Sequence, residues 1–221
     1  MRLLHKSDCH STMPPLQGSF NCVVDSGDFF PNSRHVFHGE RNKEVRFQMQ
    51  WLQDNIEDLK KQLAGRDLLF VAGNHDFVDP IRMEALLQSE GINAIDLTNK
   101  LVSYGGINFY GFPYVPTING DWNYERAVPE MQQEVRRMVD VINSNQVDVL
   151  ACHCPIYGCL DLTTDNDRIG NRVMADALDY QIEDDKKPSY YLCGHCHNPG
   201  ITMRGKMLVS NMATSQCVIE I

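Results

Sequence analysis

Five short stretches concentrate the residue types that hold divalent cations and move protons: Asp8-Cys9-His10, Gly27-Asp28, Gly73-Asn74-His75-Asp76, His153-Cys154-Pro155 and Gly194-His195-Cys196-His197. Carboxylate, imidazole and amide oxygen together suit borderline or hard divalent metals such as Mn, Fe, Zn or Co. Asp8/His10 and His195/His197 are i, i+2 pairs, which an extended chain points to one side. The set is larger than one ion needs. Two ions about 3.5–4 Å apart share a carboxylate, clamp both oxygens of a phosphoryl transfer and create a hydroxide nucleophile. Histidine is also the commonest acid–base side chain near neutral pH.

Each stretch falls where a strand pattern gives way to a loop. Leu68 to Ala72 is an unbroken apolar run, the pattern of a strand buried on both faces, and Gly73 permits a sharp exit from it. Strands are also predicted at Arg2–Asp8, Phe20–Asp25, Val147–Cys152 and Pro188–Cys193, each followed by one of the other stretches. In open α/β sheets, ligands bind at the carboxyl ends of strands. A helix is expected over Glu44–Leu63, where Val45, Met49, Leu52, Ile56, Leu59 and Leu63 recur at spacings of three and four and Gly65 ends it. Further helices are expected at Pro80–Glu90, Pro129–Asn143 and Asn171–Tyr180. Gly105-Gly106 reads as the turn of a hairpin between Leu101–Tyr104 and Ile107–Gly111. Ser11–Ser19, Pro31–Arg41, Phe112–Tyr124 and Ile156–Gly170 read as loops, and a last group of strands closes the chain.

In this order the five stretches resemble the motifs of the calcineurin-like metallophosphoesterase superfamily: Asp-x-His, Gly-Asp, Gly-Asn-His-Asp/Glu, a His before a Pro-containing turn, and Gly-His-x-His. The resemblance runs from Arg2 to roughly the end of the chain. It implies a single domain over residues 1–221, an α/β four-layer sandwich in which two mixed sheets pack face to face between helices. It implies one metal on Asp8, His10, Asp28 and His197, and a second on Asp28, Asn74, His153 and His195, with Asp28 bridging. Manganese is the favoured metal. His75 resembles the family's non-ligand histidine, which stabilises the phosphoryl group or protonates the leaving oxygen, and Asp76 orients that region. The implied reaction is phosphoester hydrolysis by a metal-bound hydroxide attacking in line.

Departures narrow the reading. Gly27-Asp28 is followed by Phe29-Phe30-Pro31-Asn32, so the Asp-Arg-Gly pattern of the Ser/Thr protein phosphatases is absent. The segment between the first two motifs is also too short for the usual helix. Both features, with Gly111-Phe112-Pro113-Tyr114-Val115-Pro116, resemble the small metallophosphoesterase-domain-containing group related to class III cyclic-nucleotide phosphodiesterases. A phosphodiesterase on a small, nucleotide-like substrate is therefore the leading expectation. A phosphomonoesterase comes second; a nuclease and a catalytically silent metal-binding regulator rank below both.

Composition sets the outer bounds. The chain has 221 residues and a formal net charge of −9, which argues against a broad nucleic-acid or anionic-membrane surface. Phosphate substrates remain compatible, because bound cations supply local positive charge. With neither a signal-peptide pattern nor a long apolar run, the expected location is cytoplasmic. The eight cysteines are expected as thiols in packing positions rather than as a zinc knuckle. Arg34 and Arg168 are the loop candidates for gripping a substrate phosphate. Tyr114, Trp122 and Tyr124 either stack a base or cap the core. His5, His35 and His38 have no motif support and read as packing or solvated residues.

Overall fold

The computed structural model of the protein describes all 221 residues. In chain order the first half contains β1 (Arg2–Lys6), β2 (Cys22–Asp25), α1 (Arg41–Leu63), β3 (Asp67–Phe70), α2 (Pro80–Ser89) and β4 (Ala94–Asp96). Next come β5 (Leu101–Tyr104), β6 (Ile107–Phe112), β7 (Val115–Pro116), β8 (Glu125–Arg126), α3 (Val128–Ser144) and β9 (Val149–Cys152). The chain closes with α4 (Arg172–Tyr180), β10 (Tyr190–Cys193), β11 (Gly200–Arg204), β12 (Met207–Asn211) and β13 (Gln216–Glu220).

Two mixed sheets form, ordered β13-β1-β2-β3-β4 and β11-β12-β10-β9-β6-β5. In the first, β1 to β4 are parallel and β13 runs antiparallel on β1. In the second, β6, β9, β10 and β12 are parallel, and β5 and β11 close the edges antiparallel. Parallel strands buried on both faces read as continuous apolar runs, which explains Leu68-Leu69-Phe70 and Val149-Leu150-Ala151.

Alternation along those runs divides the chain into layers. Leu3, Val24 and Leu69 of the first sheet meet Phe109, Val149 and Leu192 of the second in a shared middle core. Leu4, Val23, Leu68 and Phe70 point the other way, onto Leu52, Leu59, Met83 and Leu87 of α1 and α2. Tyr110, Leu150 and Tyr191 point onto Met131, Val135, Met138 and Leu178 of α3 and α4. The result is helix, sheet, sheet, helix: the four-layer sandwich expected from the resemblance. Truncating one of the buried leucines, such as Leu69, to Ala would cost about 2–5 kcal/mol.

Three local readings are corrected. The buried face of α1 begins with Glu44 and Gln48, both completely buried, whereas Val45 and Met49 are only partly covered. The same helix ends on Ala64 in a left-handed conformation, one residue before Gly65. The aromatic loop after β6 is not wholly irregular, since β7 pairs in parallel with β8. The Gly105-Gly106 hairpin forms as predicted, with φ of 57° and 82° at its turn.

Candidate metal centre and active site

All five motif stretches leave the carboxyl ends of parallel strands and meet on one edge of the sandwich. The backbone there is bent hard. Asp8 (φ 54°), His10 (φ 42°), Asp28 (φ 57°) and His195 (φ 63°) adopt the left-handed conformation without being glycine. Such residues cost about 1–3 kcal/mol each and persist where their surroundings over-determine them. Here the surroundings are explicit. The Asp8 amide donates to the Gly27 carbonyl at 2.9 Å, and the His10 amide to the Asp28 carbonyl at 3.1 Å. The His195 amide donates to Asp8 Oδ2 at 2.8 Å. Gly73 has ordinary φ, so the turn does not require it; a Cβ there would collide with Asp28 and with His153. A Cβ at Gly194 would likewise collide with Ser7 and Asp8. Both glycines let strand ends of different sheets touch.

The ligand-type atoms fall into overlapping groups. Asp8, His10 and His197 form one, Asp28, His153 and His195 another, and His10, Asp28 and His75 a third, each within 4.8 Å. His197 Nε2 lies 3.2 Å from Asp8 Oδ1. His10 Nε2 lies 3.9 Å from Asp8 and 3.8 Å from Asp28. His153 Nε2 lies 3.2 Å from Asp28 Oδ2 and 3.0 Å from Asn74 Oδ1. Thus Asp28 stands between the two sets of ligands inferred from sequence.

The donor set fits two divalent cations. Asp8 and Asp28 are buried, and histidines are their only ionisable partners; no lysine or arginine ion-pairs with either. Buried carboxylates are paired or bind metal. Asn74 is fully buried, its Oδ1 aimed at His153 and its Nδ2 without a hydrogen-bond partner.

The protonation equilibria follow from this crowding. Burial works against charge on Asp28, but His153, then His75 and His10, hold its carboxyl far below the usual range. Burial also opposes charge on His153, and the Asp28 carboxylate overrides it, raising the imidazole to about 10. His195 is driven down to about 4, by burial first and then by His153. Burial and the Asp28 charge push Asp76 up to about 8, against two of the amides that donate to it.

His75 is placed by Asp28 and by three residues that no motif contains, Asn32, Glu44 and Gln48. Its amide donates to Asp28 Oδ1 at 2.7 Å, and its Nδ1 contacts Asn32 Oδ1. Asn32 Nδ2 donates to the His75 carbonyl at 2.9 Å and to Glu44 Oε1 at 3.2 Å, which orients the amide. Gln48 donates to the same carbonyl at 2.7 Å and accepts from the Phe77 amide at 2.8 Å. Asp76 accepts from the amides of Gly73, Asp28 and Phe30 at 2.8, 2.9 and 3.0 Å. Asp76 therefore shapes the two ligand loops rather than facing the cleft. Asn32, Glu44 and Gln48 were missed from sequence. The available signal was Glu44 and Gln48 at i, i+4, in line with Leu52 on the core stripe of α1.

The remaining candidates separate. Trp122 lies against His75, ring centroids 4.0 Å apart. Arg168 lines a cavity of about 510 Å³ that also reaches His195. Tyr114 is not available for stacking: it is buried against Phe112 and Tyr124, and its hydroxyl accepts from Asn99 at 2.9 Å. Arg34 is exposed and does not line the cleft formed by Asp28, Asn74, His75 and His197. His5 is completely buried between Ser210 and Ser26, at 2.9 and 3.0 Å, and burial lowers it to about 3. His35 pairs with Glu40 at 2.8 Å, and His38 is exposed. All eight cysteines are free, and none joins a ligand group. No helix is long and apolar enough to cross a membrane.

Known proteins bear on this geometry. The family model described as calcineurin-like phosphoesterase matches residues 1–199. A Caenorhabditis elegans protein, UPF0046 protein T07D4.2, is 27% identical over 157 residues, 71% of this chain. The chain spans about a third of the length of that relative, 36%. Among solved structures, phosphopantetheinyl hydrolase from Mycobacterium tuberculosis superposes with a TM-score of 0.56 at 14% identity, covering 96% of this chain and 89% of that one. That likeness concerns the fold.

Proposed function

The chain belongs to the calcineurin-like phosphoesterase family, and from that premise we propose that it hydrolyses a small phosphodiester with two divalent cations, manganese being the favoured pair. The observation that carries this reading is the position of Asp28. Its carboxylate lies 3.8 Å from His10 of one proposed ligand set, 3.2 Å from His153 of the other and 4.0 Å, through Oδ2, from Nε2 of His75. Asp8, His10, Asp28 and His197 would hold one cation, and Asp28, Asn74, His153 and His195 the other. Bound there, the cations would neutralise phosphoryl charge and lower the pKa of water.

The chain's own residues supply the rest. Asn32 Oδ1 accepts a hydrogen bond from Nδ1–H of His75, which keeps that proton on the ring and leaves Nε2, on the cleft side, as the nitrogen that gains and loses a proton. Burial lowers the pKa of His75 despite the Asp28 charge, which makes its protonated form a stronger acid toward a leaving oxygen. Trp122 limits rotation of the ring. A diester, rather than a monoester, is supported by space on two sides. The cleft of about 240 Å³ at Asp28 and His75 shares Ile118, Ile169 and His195 with the 510 Å³ cavity, which gives a second ester arm room.

The test is hydrolysis by metal-stripped protein resupplied with Mn²⁺, on bis-p-nitrophenyl phosphate beside p-nitrophenyl phosphate, with an Asp28→Ala control. Metal-dependent turnover favouring the diester is expected. A preference for the monoester would replace this reading with a phosphomonoesterase. Two bound metals with no turnover of either would point to a binding protein.

A further inference from the structure

The 510 Å³ cavity has a charge opposite to that of the chain. Its lining includes Arg126, Arg168 and Arg172 and no carboxylate, in a protein of net charge −9. The three cations are not equivalent. Arg126 lies 3.9 Å from Glu134, and Arg168 is held at 2.6 Å by Asp161. Arg172 forms no ion pair; its guanidinium lies over the Tyr157 ring, 4.1 Å from the centroid. Arg168 approaches the same ring at 5.9 Å.

This wall is built rather than fortuitous. Ile156 bridges to Asn171, and the Asn171 amide donates to the Pro155 carbonyl at 2.8 Å. A Cβ at Gly170 would lie 2.7 Å from the Tyr157 backbone, so that approach requires glycine. The close fit brings Arg168 and Arg172 to opposite ends of one short loop-to-helix segment. Stacking pre-organises a guanidinium and leaves its N–H edge for an anion. The cavity opens onto the cation cleft at His195.

We propose that this cavity receives a second anionic group on the substrate, gripped chiefly by Arg172 with Arg168 beside it. The inference rests on the phosphoester reading and deepens it. The scissile phosphoryl group lies at Asp28 and His75, and one ester arm passes His195 along Val128, Met131 and Val173. That arm ends in a phosphate or a carboxylate. Arg172 is exposed at the cavity mouth and stacked on Tyr157, so an anion on the arm would meet a positioned guanidinium that no carboxylate of the chain occupies.

Three diesters with one leaving group test it: methyl, 2-carboxyethyl and 2-phosphonoethyl p-nitrophenyl phosphate, with Mn²⁺-loaded protein. The anionic arms should raise kcat/KM about 10- to 100-fold over methyl, mainly through KM. Arg172→Gln should bring that ratio toward one, and Arg172→Lys should restore part of it. Whether the carboxylate or the phosphonate leads identifies the anion. Equal turnover of all three, or a preference that survives Arg172→Gln, overturns the proposal. No turnover of any of them would strike the phosphoesterase reading instead. Calorimetric titration with 1,3-propanediphosphonate and methylphosphonate then decides the cavity's role without catalysis. Tighter binding of the diphosphonate that Arg172→Gln abolishes supports it; equal affinities, or a difference that Arg172→Gln leaves in place, overturn it.

Discussion

The two sheets contribute unequal halves of the site. The first sheet supplies Asp8, Asp28, Asn74 and His75 on loops tied down by buried polar groups. Asp76 accepts three amides, and Glu44 and Gln48 reach out of α1 to fix Asn32 and the His75 carbonyl. The second sheet supplies His153, His195 and His197, and its loops lean on the first half. The His195 amide and the His197 ring both bond to Asp8, and His153 bonds to Asn74 and the Ser26 carbonyl. The His197 side chain is 51% exposed, against 2% for Asp28. One half is a scaffold that carries ligands. The other is a set of ligands that the scaffold orients.

That asymmetry is most easily broken at Asp28. Asp28→Asn should abolish measurable turnover and lower the occupancy of both cations, because the residue joins both groups. His197→Ala removes a ligand from one group only. Metal stoichiometry by mass spectrometry should fall toward one rather than toward zero. If His197→Ala empties both sites, the halves are equal partners and the proposed dependence is wrong. His75→Ala separates chemistry from scaffold: turnover should drop about 100- to 10,000-fold while both cations stay bound. Parallel loss of metal would make His75 a ligand, as its proximity to His10 and Asp28 also permits.

The sequence was most legible where chemistry restricts residue type. Asp, His and Asn at strand ends are costly without a function, so the seven proposed ligands stood out. Runs such as Leu68-Leu69-Phe70, which must be covered on both sides, with helices between them, gave only an α/β class; the four layers came from the resemblance carried by the motifs. The scaffold of the first half was not legible. Gln48 bonds the His75 carbonyl 27 positions away, and Asp76 bonds Phe30 at a separation of 46. Side-chain bonds to a distant backbone leave no period to read. Gly73 was misread for the same reason: its need for glycine comes from Asp28 and His153, not from its own φ.

Gln48→Ala tests the scaffold directly. It leaves the His75 carbonyl with one donor fewer and removes the acceptor of the Phe77 and Val78 amides, all in a buried setting. The expected cost is about 1–3 kcal/mol, read by denaturant unfolding. A substitution of the exposed Gln50 on the same helix should change stability by less than about 0.5 kcal/mol. Equal effects would mean that the polar stripe of α1 is incidental packing.

One contact reaches the first half from outside both large sheets, from the segment between β7 and β8. Trp122 follows β7 and lies tilted by 33° against His75. Its loop is tied to the first half by the Asn123 amide, which donates to the Asn74 carbonyl at 3.0 Å, and by Asn123 Nδ2, which donates to the Asp76 carbonyl at 2.8 Å. Those bonds survive a change at Trp122, so Trp122→Ala should free the His75 ring without moving its backbone. Aromatic pairs of this kind contribute about 0.5–1.5 kcal/mol beyond burial, which corresponds to a fall in kcat of about 2- to 10-fold. Trp122→Phe keeps a ring face over His75 and should recover most of the loss, with metal content unchanged in both variants. A fall confined to KM would place Trp122 against the substrate instead. The ring of the catalytic histidine would then be held by Asn32, with its backbone held by Asp28 and Gln48, and the scaffold would be more self-sufficient than the ring contact implies.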